Sequence, residues 1–110
     1  MSGATALPPP LAPLPSGRIE SGVSAAERDL RAAGVEPHAW SNGPGDRYGA
    51  HEHAFDKLLR CAIGSITFLV GAEAVPVELR AGDGFVLPAG TTHAAVVGPT
   101  GCTCLEGHRR

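Results

Sequence analysis

Beyond Pro37 the chain alternates short apolar runs with clusters of turn-forming residues such as Gly82-Asp83-Gly84. Runs of four to seven residues separated by glycine and proline are typical of strands in an antiparallel β-protein. The pattern predicts strands at residues 50–54, 57–63, 65–70, 75–79, 84–87, 93–97 and 102–106. Strands at this spacing indicate an all-β sandwich or barrel.

A short helix is predicted upstream of the strands, at residues 24–33. Ser24 and Glu27 have the spacing of a capping box, in which each side chain hydrogen-bonds the backbone N–H of the other residue. Gly34 supplies a left-handed stop at the other end. Between these signals apolar residues recur at helical spacing, at Val23, Ala26, Leu30 and Ala33.

The first 17 residues are rich in proline, with Pro8, Pro9, Pro10, Pro13 and Pro15. Each proline removes a backbone donor and favours extended polyproline geometry. The segment carries no Arg or Lys that would anchor it in an aromatic groove. We therefore predict a disordered tail at residues 1–17 that buries little apolar area, followed by a single domain at residues 18–110.

Composition and charge exclude several classes of protein. The 110 residues carry a formal net charge of -2 and form no long basic run, which argues against a nucleic-acid partner. The longest apolar stretch, around residues 66–70, is far shorter than the ~20 residues that span a bilayer. Three cysteines and no secretory leader predict reduced thiols and a cytoplasmic location.

Only 5% of the residues are aromatic, so the few large rings are expected to serve packing. Trp40 and Tyr48 are assigned to the core or to a dimer interface on this ground. A sheet built from roughly 70 residues leaves edges that a second subunit would protect. The sequence therefore predicts a homodimer.

Three histidines are the main candidates for chemistry. His51-Glu52-His53 on a strand would place both imidazoles on one face, and His93 opens another predicted strand. Neutral imidazole is a common ligand of divalent transition metals, and three protein ligands leave open positions for a substrate. An isolated His-x-His occurs more often by chance on a protein surface than as part of a metal site. The surrounding sequence is therefore needed to distinguish the two cases.

The spacing of these histidines resembles the two motifs of the cupin family. The first motif is glycine, five residues, His-x-His, three or four residues, Glu, six residues, glycine, and this chain reads Gly45-DRYGA-His51-Glu52-His53-AFD-Lys57-LLRCAI-Gly64. The second is glycine, five residues, Pro-x-Gly, two residues, His, three residues, Asn, and this chain reads Gly82-DGFVL-Pro88-Ala89-Gly90-TT-His93-AAV-Val97. The resemblance implies a small antiparallel cupin barrel, or jelly roll, with metal ligands at the three histidines.

This chain departs from the cupin motifs at two positions. Lys57 or Leu58 stands where the family has its glutamate, and Val97 stands where it has asparagine. A charged ammonium has no lone pair and cannot be a metal ligand. Three outcomes stay open for Lys57, the only lysine: it turns to solvent, it acts as a base or electrophile anchor, or it recognises an anion in a metal-free pocket.

Two classes of function follow from the resemblance. The first is an enzyme with a three-histidine site for Fe, Mn, Zn or Ni, dioxygenase-like or isomerase-like, acting on a small acidic metabolite. In this class Lys57 is the candidate catalytic residue, and Arg47, which shares strand parity with the histidines, is the candidate substrate-binding residue. The second is a non-enzymatic, metal-free module that binds an anion or a sugar-like ligand. Cysteine dioxygenase, a cupin that similarly lacks the glutamate, is a precedent for the first class.

Overall fold

Two long antiparallel strands organise the fold seen in the computed structural model, which describes residues 7–110. The elements in chain order are α1 (Val23–Ala32), β1 (His38–Asn42), β2 (Arg47–His51), β3 (Asp56–Val70), β4 (Val75–Arg80), β5 (Gly84–Leu87) and β6 (His93–Arg109). No helix in this part of the chain is long and apolar enough to cross a membrane.

β3 and β6 pair along their whole length, from Asp56 opposite Arg109 to Val70 opposite His93. β2 and β4 flank one half of this pair, and β1 and β5 flank the other half. Each half is thus a four-stranded layer, and the apolar side chains of both layers fill the space between them. The predicted all-β jelly roll is confirmed.

A bend at Gly64 explains why β3 is one strand where two were predicted. Gly64 has φ 75°, and a Cβ atom there would lie 2.0 Å from the Gly101 carbonyl oxygen. The register shifts on both sides of this glycine, so the strand bulges and turns without ending. β6 continues in the same way through residues 98–101, where the sequence predicted a turn. Both predictions of a strand break were wrong because β3 and β6 pair on both sides of these glycines, so each strand continues across the bulge.

The strand before the histidines lies earlier than predicted. Residues 50–54 were expected to form a strand, but β2 ends at His51, and His53 lies in the loop that follows. β1 was not predicted, because the residues HAWSN carry no alternating apolar pattern. It forms because it pairs with β6, with Ser41 Oγ lying 2.7 Å from Thr103 Oγ1.

α1 covers the outer face of β3 and β6. Ala26 and Leu30 are buried there against Leu58 and Leu105. The predicted capping box is wrong: the residue before the helix is Gly22, and no side chain caps this end. The Gly22 N–H instead donates to the Ala62 carbonyl, 2.9 Å away, which fixes the start of the helix on β3.

The N-terminal segment contradicts the expectation that it buries little apolar area. Leu11 and Leu14 are 8% and 2% exposed, and both belong to the apolar core. Ala12 exchanges two backbone hydrogen bonds with Val86, at 3.1 and 2.7 Å, so the segment covers the free edge of β5. Residues 7–17 are therefore an ordered strap on the barrel, while residues 1–6 lie outside the described part of the chain.

Candidate metal centre and cavity

The structure brings the three predicted histidines together from three different segments. His51 ends β2 and is the pairing partner of His93 at the start of β6, while His53 follows two residues later in the loop. The ring centroids lie 4.4 Å apart for His51 and His93, 4.8 Å for His51 and His53, and 5.2 Å for His53 and His93. One nitrogen from each ring lies within 4.8 Å of the others.

Backbone carbonyls set the tautomer of two of these histidines. His51 Nδ1 lies 2.7 Å from the Gly49 oxygen, and His93 Nδ1 lies 2.9 Å from the Thr91 oxygen. A carbonyl oxygen only accepts, so each Nδ1 carries a proton, and in the neutral form of each ring the lone pair lies on Nε2. This is the usual way in which proteins prepare a histidine for a metal ion.

Two of the imidazole nitrogens are buried without a hydrogen-bond partner among the described residues. They are His53 Nε2 and His93 Nε2. A buried polar atom without a partner is costly, and native structures usually supply one. A divalent ion would fill this role at both atoms, so the residues present fit a metal.

Burial lowers the pKa of His53 and His93 below the ordinary value of 6.5, and the positive charge of Lys57 lowers both further. For His93 the hydrogen bond to Thr91 opposes the shift without reversing it. Both rings are therefore neutral at pH 7, as metal ligation requires. The donor set is three imidazole nitrogens without a carboxylate.

A cavity of about 200 Å³ opens beside the histidines. Its lining residues are Trp40, Tyr48, His51, Lys57, Phe68, His93, Ala95 and Glu106. Lys57 is only 8% exposed and therefore does not turn to solvent, which removes one of the three outcomes left open by the sequence.

Glu106 is the functional candidate that the sequence analysis missed. Its Oε1 lies 3.4 Å from Lys57 Nζ and accepts a hydrogen bond of 2.8 Å from Trp40 Nε1. Its Oε2 lies 2.7 Å from His108 Nε2. The signal that could have found it is strand alternation, because Cys102, Cys104 and Glu106 share one face of β6. The cavity thus carries a paired ammonium and carboxylate.

Of the other sequence candidates, Trp40 and Tyr48 line this cavity and Arg47 does not. Arg47 is exposed on β2 and is not among the lining residues, so its substrate-binding role stays a prediction. Trp40 and Tyr48, assigned to packing, form a wall of the cavity with their ring centroids 5.7 Å apart. The Tyr48 hydroxyl donates a hydrogen bond to the Asn42 side chain.

Glu106→Gln is expected to lower the free energy of unfolding by about 1–3 kcal/mol at neutral pH, because charged hydrogen bonds are lost. Burial raises the pKa of Glu106, but the hydrogen bond from His108 and the charge of Lys57 outweigh it, so the pKa lies below the ordinary 4.5. The carboxylate therefore stabilises the fold above pH 4.5, and this contribution is lost as the pH falls through the folded-state pKa. Urea unfolding measures the free energy of unfolding of both proteins. The difference between them should be constant near neutral pH and should vanish in acid. A difference that does not change with pH would contradict the stabilising role of the Glu106 carboxylate.

Comparison with known proteins places the fold. No family model matches this sequence, and no curated protein matches it. A DMSP lyase structure is 26% identical with a TM-score of 0.63 and covers 69% of this chain and 38% of that chain. An RmlC-like cupin from Shewanella frigidimarina is 24% identical with a TM-score of 0.59 and covers 67% of this chain and 64% of that chain. KdgF from Halomonas sp. is 23% identical with a TM-score of 0.58 and covers 69% of this chain and 70% of that chain.

This chain therefore spans less than two thirds of the lyase chain and of the Shewanella cupin. The likeness in fold agrees with the resemblance in the two motifs. The chain has the fold of the cupins, the family to which its histidine motifs pointed.

Proposed function

We propose that this protein is a metal-dependent enzyme that moves a proton on a small acidic metabolite in the cavity beside the three histidines. The observation that carries the proposal is the set of three imidazoles turned toward one another, with two buried Nε2 atoms that lack a partner in the described chain. His51, His53 and His93 would hold the ion.

A divalent ion at these nitrogens supplies a Lewis acid for an oxygen of the substrate. Because the three ligands are neutral, they leave the charge of the ion uncompensated. The charges of Lys57 and Glu106 cancel, so the loaded cavity carries a net positive charge. This balance favours an anionic substrate, and a cavity of about 200 Å³ limits it to a small one.

Lys57 and Glu106 are the groups that would handle the proton. The Glu106 carboxylate accepts a proton from a carbon of the bound substrate, and the Lys57 ammonium donates one to a substrate oxygen or back to carbon. Trp40 holds the carboxylate in place through its hydrogen bond of 2.8 Å. This acid and base pair favours the isomerase-like reaction of the two reaction types that the resemblance implied.

The comparisons support an enzyme without naming the reaction. The DMSP lyases act on DMSP, and they share this barrel over 69% of the present chain. Their example indicates that a barrel of this shape accommodates chemistry on a small molecule. The homodimer, the cytoplasmic location and the lack of a nucleic-acid partner stay predictions from the sequence.

A metal-free binding module is the second candidate. The observation that favours it is the aromatic wall of Trp40 and Tyr48, because flat aromatic faces pack well on sugar rings. In this alternative Lys57 and Glu106 would bind the ligand through hydrogen bonds. The metal content of the purified protein separates the two candidates.

Elemental analysis of untagged protein is expected to find one Fe, Mn, Zn or Ni ion per chain. His51→Ala, His53→Ala and His93→Ala should each abolish stoichiometric metal, because each change removes one of only three ligands. His38→Ala is the matched control, since His38 is exposed on β1 outside the cluster. Full metal content after any one of the three substitutions would remove that histidine from the site, and a metal-free wild type would favour the binding module.

A further inference from the structure

We propose that Phe55 is a positioning residue that holds the ring of His53 in the orientation needed to bind the metal. The inference rests on the proposed metal centre and adds a residue to it. The side chain of Phe55 contacts the His53 ring and would not contact the ion itself.

The three histidines are not held in the same way. His51 and His93 each donate an Nδ1 hydrogen bond to a backbone carbonyl, at 2.7 and 2.9 Å. The Nε2 atom of His53 is buried without a hydrogen-bond partner among the described residues, so no such bond fixes it. Packing is the contact that remains to orient this ring.

Phe55 supplies that packing through a stack of three rings. Its ring lies 5.0 Å from the His53 ring with an interplanar angle of 28°, and 3.9 Å from the His108 ring with an angle of 24°. His108 is in turn fixed by Glu106, whose Oε2 lies 2.7 Å from His108 Nε2. The stack thus connects the carboxylate of the cavity to the third metal ligand.

The backbone of this loop is already anchored, which leaves the ring as the part that needs support. The His53 carbonyl accepts a hydrogen bond of 2.8 Å from the Gly90 N–H. Asp56 accepts one of 2.9 Å from the Ala89 N–H and pairs with Arg109 at 3.3 Å. Rotation about the side-chain bonds of His53 is the remaining freedom, and the face of Phe55 restricts it.

Calorimetric titration of the full chain with Zn²⁺ tests this role. Phe55→Ala and Phe55→Leu should each weaken zinc binding about 10- to 100-fold, the range found when partners that orient metal ligands are lost. Phe55→Tyr keeps the stacked ring and should bind zinc nearly as well as the wild type. Leu79→Ala, an apolar truncation at a buried position on β4 that does not line the cavity, controls for a general loss of packing.

A double-mutant cycle with His53→Ala separates positioning from a structural effect. His53→Ala is expected to lose its ion on purification but keeps His51 and His93, so its weaker binding is titrated with excess Zn²⁺ or Co²⁺. If Phe55 acts through His53, Phe55→Ala should cause no further loss of zinc affinity once His53 is absent. The visible spectrum of the Co²⁺ protein gives a second readout, because Phe55→Ala should shift it toward the spectrum of His53→Ala. Losses that simply add in the cycle would overturn the inference.

Failure of the metal centre and failure of the inference give different results. If the wild type binds no zinc, both the proposed metal centre and the role of Phe55 are wrong. A wild type that binds one zinc ion per chain, with equal affinity in Phe55→Ala, removes only the role of Phe55. Weakened binding in Phe55→Ala and Phe55→Leu that is rescued in Phe55→Tyr supports it.

Discussion

Replacing Leu14 by alanine is expected to lower the free energy of unfolding by about 2–5 kcal/mol. Leu14 is 2% exposed and packs in the cluster between α1 and the barrel, with Leu30 and Leu58. The shortened side chain would leave a cavity that the surrounding strands cannot close. Residues 7–17 are therefore expected to contribute to stability, contrary to what the proline content of this segment predicts.

Thermal unfolding followed by circular dichroism measures this effect. For a chain of this size the loss corresponds to a fall in Tm of at least about 8 °C. Pro13→Ala is the matched control, because Pro13 lies between the two buried leucines and is itself exposed. A Tm for Leu14→Ala equal to that of the control would show that the strap does not pack on the barrel in solution.

The sequence predicts an element well where its limits are set by local chemistry. The strand at residues 84–87 was placed correctly, because a turn over residues 80–83 precedes it and Pro88 ends the apolar run. The bend at Gly64 looks the same in sequence but lies inside a strand. Only the pairing of β3 with β6 distinguishes the two cases, and that pairing joins residues far apart in the chain.

The strap shows the same limit for apolar residues. Leu11 and Leu14 lie among prolines in a pattern with neither helical nor strand period. Their burial depends on the free edge of β5 and on the underside of α1, which exist only after the barrel has formed. Local composition therefore predicted an extended backbone but could not predict that Leu11 and Leu14 pack on the barrel.

The candidate site divides in a similar way. The histidines were found because their spacing is a motif, even though His53 proved to lie in a loop. Glu106 was missed because it belongs to no motif and meets Lys57 only through the pairing of β6 with β3. The sequence thus predicted the histidine cluster but not the carboxylate that pairs with the lysine.

Replacing Lys57 by glutamate is expected to raise metal affinity by about a hundredfold or more. The Lys57 ammonium lines the same cavity as His51 and His93 and cancels the negative charge of Glu106, so the charged pair offers a divalent ion little net attraction. The substitution removes the positive charge and adds a carboxylate at the position where the cupin motif has one. Without metal, the new carboxylate would face Glu106, and this like-charge contact should lower the Tm.

Lys57→Met separates the two causes, because it removes the charge without adding a ligand. Zinc affinity should increase from the wild type to Lys57→Met and again to Lys57→Glu. Trp40, the only tryptophan, lies in the cavity wall and can report binding through its fluorescence. The glutamate variant should also gain the most thermal stability from added zinc, since the ion neutralises both carboxylates. Equal affinities in all three proteins would mean that the charge at residue 57 is not felt at the histidines, and the role assigned to Lys57 would be wrong.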